Sequence, residues 1–286
     1  MDVWFFLIQV MNGVQYGLLL FLVASGLTLI FGIMGIINLA HGSFYMLGAY
    51  LAYWLALHTG SFVAAVLLAL PIAAGVGYVI ELLLVRTLYR RDHLDQVLMT
   101  FGLILIFNEA QRMLWGSDVH GIQVPAVLDW SIRLTETLSY PVYRLAVSVV
   151  CVVLALVMYV VIQRTRFGMW IRAGACDRGM VAALGINVKL LFGAVFAIGA
   201  ALAALSGAIA APINSVGPGM GDAVVIICFV VVVIGGVGSI KGAFVGAILI
   251  GMADTFGKVL LPEFASFSVY AVMAAVLLWK PRGLFA

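Results

Sequence analysis

The residues best equipped for chemistry in this chain are few and lie inside apolar sequence. Asn38, His41 and Ser43 fall close together in the stretch Phe31–Gly48, FGIMGIINLAHGSFYMLG, which Gly32, Gly35, Gly42 and Gly48 also interrupt. An amide, an imidazole and a hydroxyl so near one another form a stronger candidate for a solute pathway than a lone histidine would. Two readings of the segment stand side by side. It is either a polar turn between two helices at the membrane interface, or a discontinuous helix lining a pathway. Unwound backbone at membrane depth is tolerated only where protein buries it or a watery cavity faces it.

The remaining charged residues suggest little chemistry. Glu109 and Arg112, at i and i+3, can neutralise one another. Glu81 lies near the cytoplasmic end of its apolar run, within reach of the interface or of Arg86, and Asp222 follows GPGMG in what reads as an outer loop. None of these resembles the carboxylate chain of a proton-driven transporter. Gly235–Gly242, GGVGSIKG, lacks the Gly-Lys-Ser/Thr ending and the soluble βαβ setting of a phosphate loop. No His-Glu-x-x-His or Gly-x-Ser-x-Gly motif occurs, and Cys151, Cys176 and Cys228 have no paired spacing for a disulfide or zinc site. The sequence therefore predicts no enzyme, no metal and no cofactor.

The elements that carry these residues follow from composition. Of 286 residues, 65% are hydrophobic and 9% charged, and the mean hydropathy is +1.21. Soluble domains average about 45–50% apolar and about 25% charged residues, so the solvent of this chain must be lipid. It reads as one all-α transmembrane domain over residues 1–286, with its first apolar run retained and not cleaved as a signal peptide. A span needs about 20 apolar residues. The clearest runs are Val10–Phe31, Phe62–Val85, Val97–Leu114, Tyr143–Ile162 and Leu190–Ile213, with shorter or Gly-interrupted ones at Phe44–Leu57, Val224–Val237, Phe244–Ala253 and Val269–Trp279. Eight or nine crossings are expected. Unbroken apolar runs exclude a β-barrel, whose strands alternate.

Loop charge sets the orientation. Arg86, Arg90 and Arg91 share one loop, Arg164, Arg166, Arg172, Arg178 and Lys189 another, and Lys280 and Arg282 lie in the tail, so all three are expected in the cytoplasm. Trp115–Val142, which holds Asp118, Asp129 and Glu136, is expected outside.

Two further segments bear on function. In the loop Gln163–Lys189, Asp177 can cap a short helix carrying Met180, Val181, Ala183 and Leu184, and Gly185 can end it in the left-handed conformation. Such a partly apolar helix needs a surface to bury against: the protein's own helix ends, the lipid interface or a cytoplasmic partner. Val230–Gly251, VVVVIGGVGSIKGAFVGAILIG, partly echoes the first segment, with Gly235, Gly238, Gly242 and Gly246 in the order of Gly32, Gly35, Gly42 and Gly48. Paired Gly-interrupted segments in two halves point to a transporter pathway, though glycine also serves close helix packing. Gly235, Gly238 and Gly242 join Asn38, His41 and Ser43 as pathway candidates.

Five stretches, spread from end to end, resemble the first of the two permease subunits of high-affinity branched-chain amino acid ABC importers. They are Gly26–Tyr50, Asp92–Ile106 (DHLDQVLMTFGLILI), Arg172–Val188 (RAGACDRGMVAALGINV), Val230–Ala247 and Lys280–Phe285 (KPRGLF). The chain departs from the common pattern at Gly35 and Leu39, where a basic residue and Phe tend to stand. The resemblance implies a multi-pass protein of the bacterial inner membrane. It would work with a second, paralogous permease subunit, two cytoplasmic ATPase subunits that bind the ATP, and a periplasmic or lipid-anchored solute-binding protein, with no nucleic-acid partner. It also implies that Arg172, Asp177, Arg178, Met180, Val181, Ala183, Leu184 and Gly185 belong to the ATPase-docking loop. Relatives of such importers carry urea, short amides or aromatic acids, and these remain alternatives, as does a stand-alone channel or secondary carrier.

Overall fold

The computed structural model describes residues 3–89, 91–135 and 138–285. Arg90 and Glu136, counted above among the loop charges, lie outside the described residues. The helices are α1 (Val3–Met34), α2 (His41–Thr59), α3 (Phe62–Leu83), α4 (His93–Trp115), α5 (Val142–Arg164), α6 (Arg166–Cys176), α7 (Arg178–Ala183), α8 (Val188–Ala210), α9 (Met220–Gly235), α10 (Ile240–Leu260) and α11 (Ala265–Trp279). The loop between α4 and α5 adds a small antiparallel hairpin of β1 (Ser131–Arg133) and β2 (Ser139–Pro141).

Each apolar run of the sequence corresponds to one helix. Six of them, α1, α3, α4, α5, α8 and α10, are long and apolar enough to cross a membrane. α9 and the apolar part of α11 are shorter, and α2 has 19 residues. Helix starts are written locally: Ser61, Thr165, Asp177, Asn187 and Ser239 each accept a hydrogen bond from a backbone N–H of the turn they precede. Such caps satisfy donors that would otherwise be orphaned.

α1 forms the centre of the molecule, enclosed along most of its length, whereas α3, α4 and α5 expose large apolar side chains as lipid-facing helices do. α1 and α8 run antiparallel. The Ser206 hydroxyl donates to Leu19 O at 2.9 Å, and further along the pair Gly26 lies against Gly199. Around this pair the contacts repeat. α2 and α3 pack on α8 as α9 and α10 pack on α1, and α2 meets α9. The arrangement is that of two inverted units, α1–α3 and α8–α10, each lending its long helix to the other. α10 approaches α1 closely because Gly13 and Gly17 face Gly251 and Ala247, leaving only backbone between the axes.

This pairing differs from the echo read in the sequence. The break after α1 corresponds to the break after α8, Ala211–Gly219, and not to the turn Gly236–Ser239 between α9 and α10. The glycines of that turn answer packing demands: Gly235 and Gly242 are pressed together, and Gly238 lies against Gly32.

Candidate functional site

The first break begins at Gly35, whose φ of +64° ends α1 in a conformation that a side chain would strain. The chain then turns back beside α4, which serves the backbone freed by the break. Ile37 N–H donates to Gln96 Oε1 at 3.4 Å, and Ile37 O accepts from Thr100 Oγ1 at 3.5 Å. α2 starts at His41, whose Nε2–H donates to Val23 O at 3.0 Å. Val23 stands about 16 Å along α1 from its Met34 end at the usual helical rise, roughly half of a hydrocarbon core. The chain therefore folds back along α1 to the level of Val23 before α2 begins.

The second break approaches from the other side. After α8, Val216 pairs with His120 of the α4–α5 loop through two backbone hydrogen bonds of 2.8 Å. Gly219, with φ +74°, then starts α9. Gly221 and Gly42 touch backbone to backbone, and a β-carbon on either would collide with the other's carbonyl. The N-termini of α2 and α9 thus converge, bringing two positive helix ends to one point. Asp222 belongs to the first turn of α9 and not to an outer loop, and Asn108 Nδ2 on α4 reaches its Oδ2 at 3.5 Å. Neither Asn108 nor Asp222 stood out in the sequence as a site residue. The two prolines and three glycines of Ala211–Gly221 (Pro212, Pro218, Gly217, Gly219, Gly221) are the signal that could have marked this break.

Of the pathway candidates, the structure brings Asn38, His41 and Ser43 together at the first break and leaves Gly235, Gly238 and Gly242 in a different turn. Asn38 and His41 are wholly buried and Ser43 nearly so. Both amide atoms of Asn38, Nδ1 of His41 and Oγ of Ser43 have no hydrogen-bond partner among the described residues. Buried polar groups are nearly always paired, so this cluster holds hydrogen-bonding capacity that the chain itself does not use.

The segment between α5 and α8 carries the other candidates. Asp177 Oδ1 accepts from Met180 N–H at 3.0 Å and so caps α7, and Gly185, with φ +83°, follows its end. Met180 and Leu184 are 61% and 72% exposed, with Asp177, Ala183 and Gly185 also at the surface. Val181 is 2% exposed, which corrects its place in the expected apolar patch: it anchors α7 to the protein. Met180 and Leu184, four apart, share one face, and Val181 lies about 100° round the helix from Met180, toward the protein. The two arginines are exposed but reach back to carbonyls of the long helices. Arg172 donates to Ile162 O of α5. Arg178 Nη2 donates to Met34 O at 2.7 Å and Ile33 O at 3.2 Å, with its guanidinium over the Phe192 ring. Arg178 therefore caps the end of α1 at the point where the first break begins. Nearby, Glu81 is fully buried and takes a two-pronged ion pair from Arg86 (2.8 and 3.2 Å) and a hydrogen bond from Tyr89. Burial, together with this bond to the carboxylate, holds the Tyr89 phenol protonated well above its ordinary range.

The sequence has known relatives. The family described as branched-chain amino acid transport system / permease component matches residues 9–277. The high-affinity branched-chain amino acid transport system permease protein BraD of Pseudomonas aeruginosa is 31% identical, over 99% of this chain and 96% of its own length. The LivH permease proteins of Salmonella typhimurium and of Escherichia coli K12 are each 29% identical, over 98% of this chain and 95% of their own. No solved structure matches the chain. With the family match running almost from end to end, this chain belongs to the permease components of branched-chain amino acid transport systems.

Proposed function

We propose that this chain is a transmembrane permease subunit of an ATP-driven ABC importer, a multi-pass protein of the bacterial inner membrane that forms the route for branched-chain amino acids with a second, paralogous permease. Two cytoplasmic ATPase subunits bind ATP and dock on the loop Gln163–Lys189, and a periplasmic or lipid-anchored binding protein delivers the solute. The observation that carries this reading is the meeting of the two helix breaks, with the unpaired polar atoms of Asn38, His41 (Nδ1) and Ser43 at one and Asp222 at the other. An apolar surround with a few polar groups suits a solute such as leucine, whose side chain is apolar and whose ends are charged. The unpaired groups are the polar surface that an opening at the break would offer to those ends.

The test is ATP-driven leucine uptake into vesicles containing this chain, its permease partner, the ATPases and the binding protein. Asn38→Ala, His41→Ala and Ser43→Ala are expected to lower uptake while the ATPases still co-purify. Unchanged uptake in all three would reject the pathway role of the break, and uptake of urea in preference to leucine would reject the substrate.

A further inference from the structure

A cavity of about 410 Å³ lies at the cytoplasmic end of the molecule, between α1, the ends of α5 and α6, and the turn from α9 into α10. Among the described residues its lining holds two cations, Arg172 and Lys241, and no carboxylate. The N-terminus of α10 also opens into it through Gly238, Ser239 and Ile240. A helix N-terminus favours an anion through its free N–H groups and its dipole. An independent observation points the same way: Thr28, 1% exposed, lines the cavity, and its buried hydroxyl has no hydrogen-bond partner among the described residues. The site thus combines two positive side chains, a positive helix end and an unused hydroxyl donor.

Its depth identifies the source of the anion. With the basic loops taken as cytoplasmic, Thr28 lies about 9 Å inside the Met34 end of α1 and Tyr159 about 8 Å inside the end of α5, the level of lipid headgroups. Tyr159 lines the cavity and is 45% exposed, so the cavity opens toward the surface of α5 that faces lipid. One turn deeper, Leu156 on α5 and Phe244 on α10 are exposed apolar side chains on which acyl chains can lie. We propose that this cavity binds the phosphate of an anionic phospholipid from the cytoplasmic leaflet, held by Arg172, Lys241, the N-terminus of α10 and the Thr28 hydroxyl. The bond of Arg172 to Ile162 O of α5 separates this role from ATPase docking, which falls to Met180 and Leu184.

The experiment titrates short-chain phosphatidylglycerol, phosphatidylcholine and inorganic phosphate into the purified, assembled transporter, with binding read by native mass spectrometry. Wild-type transporter is expected to retain phosphatidylglycerol over phosphatidylcholine. Each cation near a membrane surface is worth about fivefold, so Arg172→Gln with Lys241→Gln is expected to weaken phosphatidylglycerol roughly 30-fold. Lys241→Gln alone should show the smaller part of that loss if the double variant assembles poorly. Leu184→Asp should leave phosphatidylglycerol bound, whether or not the ATPase is lost. Equal phosphatidylglycerol binding by the double variant would overturn the site. Competition by inorganic phosphate at comparable concentration would overturn the lipid and leave a soluble anion. Loss of the ATPase in the double variant with lipid binding intact would assign the two cations to the ATPase interface instead.

Discussion

Leu184→Asp separates docking from folding, because Leu184 carries its apolar surface outside the protein's own core. The side chain is 72% exposed at the end of α7, one turn from Met180 at 61%. Full burial of a leucine is worth about 1.5–3 kcal/mol, so covering what remains exposed is worth about 1–2 kcal/mol, or roughly five- to thirtyfold in a binding constant. Aspartate removes that contribution and places an unpaired carboxylate in the contact, whose desolvation adds a further cost. The ATPase complex should therefore weaken by more than about a hundredfold. The permease itself should unfold within about 0.5 kcal/mol of wild type, as exposed substitutions usually do. Co-purification with the ATPases and thermal unfolding of the isolated chain read the two effects. Val181→Asp supplies the contrast: that side chain is buried, so its variant should lose the fold along with the partner. If Leu184→Asp retains its ATPase at wild-type levels and transports normally, the docking role of α7 is refuted.

Arg178→Ala should keep more of the ATPase than Leu184→Asp yet lower transport, since the Arg178 guanidinium is bonded to the end of α1; wild-type uptake would show that this cap is dispensable. Gly42→Ala should cost about 1–3 kcal/mol and abolish uptake by forcing the α2 and α9 breaks apart. Gly75→Ala, within α3 and with open space around it, should be neutral or raise stability by up to about 1 kcal/mol; equal thermal shifts for the two would refute the close-contact argument. Arg86→Ala should destabilise the chain by about 3 kcal/mol, because it leaves the buried Glu81 without its cation, and Arg86→Lys should recover part of that loss. In intact cells an impermeant thiol reagent should label Asp129→Cys, which is exposed in the α4–α5 loop, and leave the exposed native Cys176 untouched. The reverse pattern would invert the topology.

The all-α membrane class and the positions of the apolar helices were legible in the sequence because lipid imposes its rule residue by residue. Every span needs a long apolar run whatever its neighbours are. The cap at Asp177 and the left-handed Gly185 were legible for the same reason, since a cap is satisfied within one turn of chain. The polar cluster Asn38, His41 and Ser43 was visible as a composition. What remained open was its depth, which depends on α1 running well past Val23 and the chain turning back beside α4.

Only the tertiary structure decided which elements correspond and which face each side chain takes. The sequence echo joined Gly32–Gly48 to Gly235–Gly246, because glycine marks close helix contacts and backbone breaks alike. The packing of α2 on α8 and of α9 on α1 instead pairs the first break with Ala211–Gly219, where prolines and Asn214 resemble an ordinary loop. Asp222 proved to lie in the first turn of α9, which the Gly42–Gly221 contact, joining residues far apart in the chain, brings against the start of α2. Arg172 and Arg178 read alike as basic loop residues. One turns toward a cavity under α5 and the other onto the end of α1, because each guanidinium finds carbonyl acceptors that helix packing alone brings within reach.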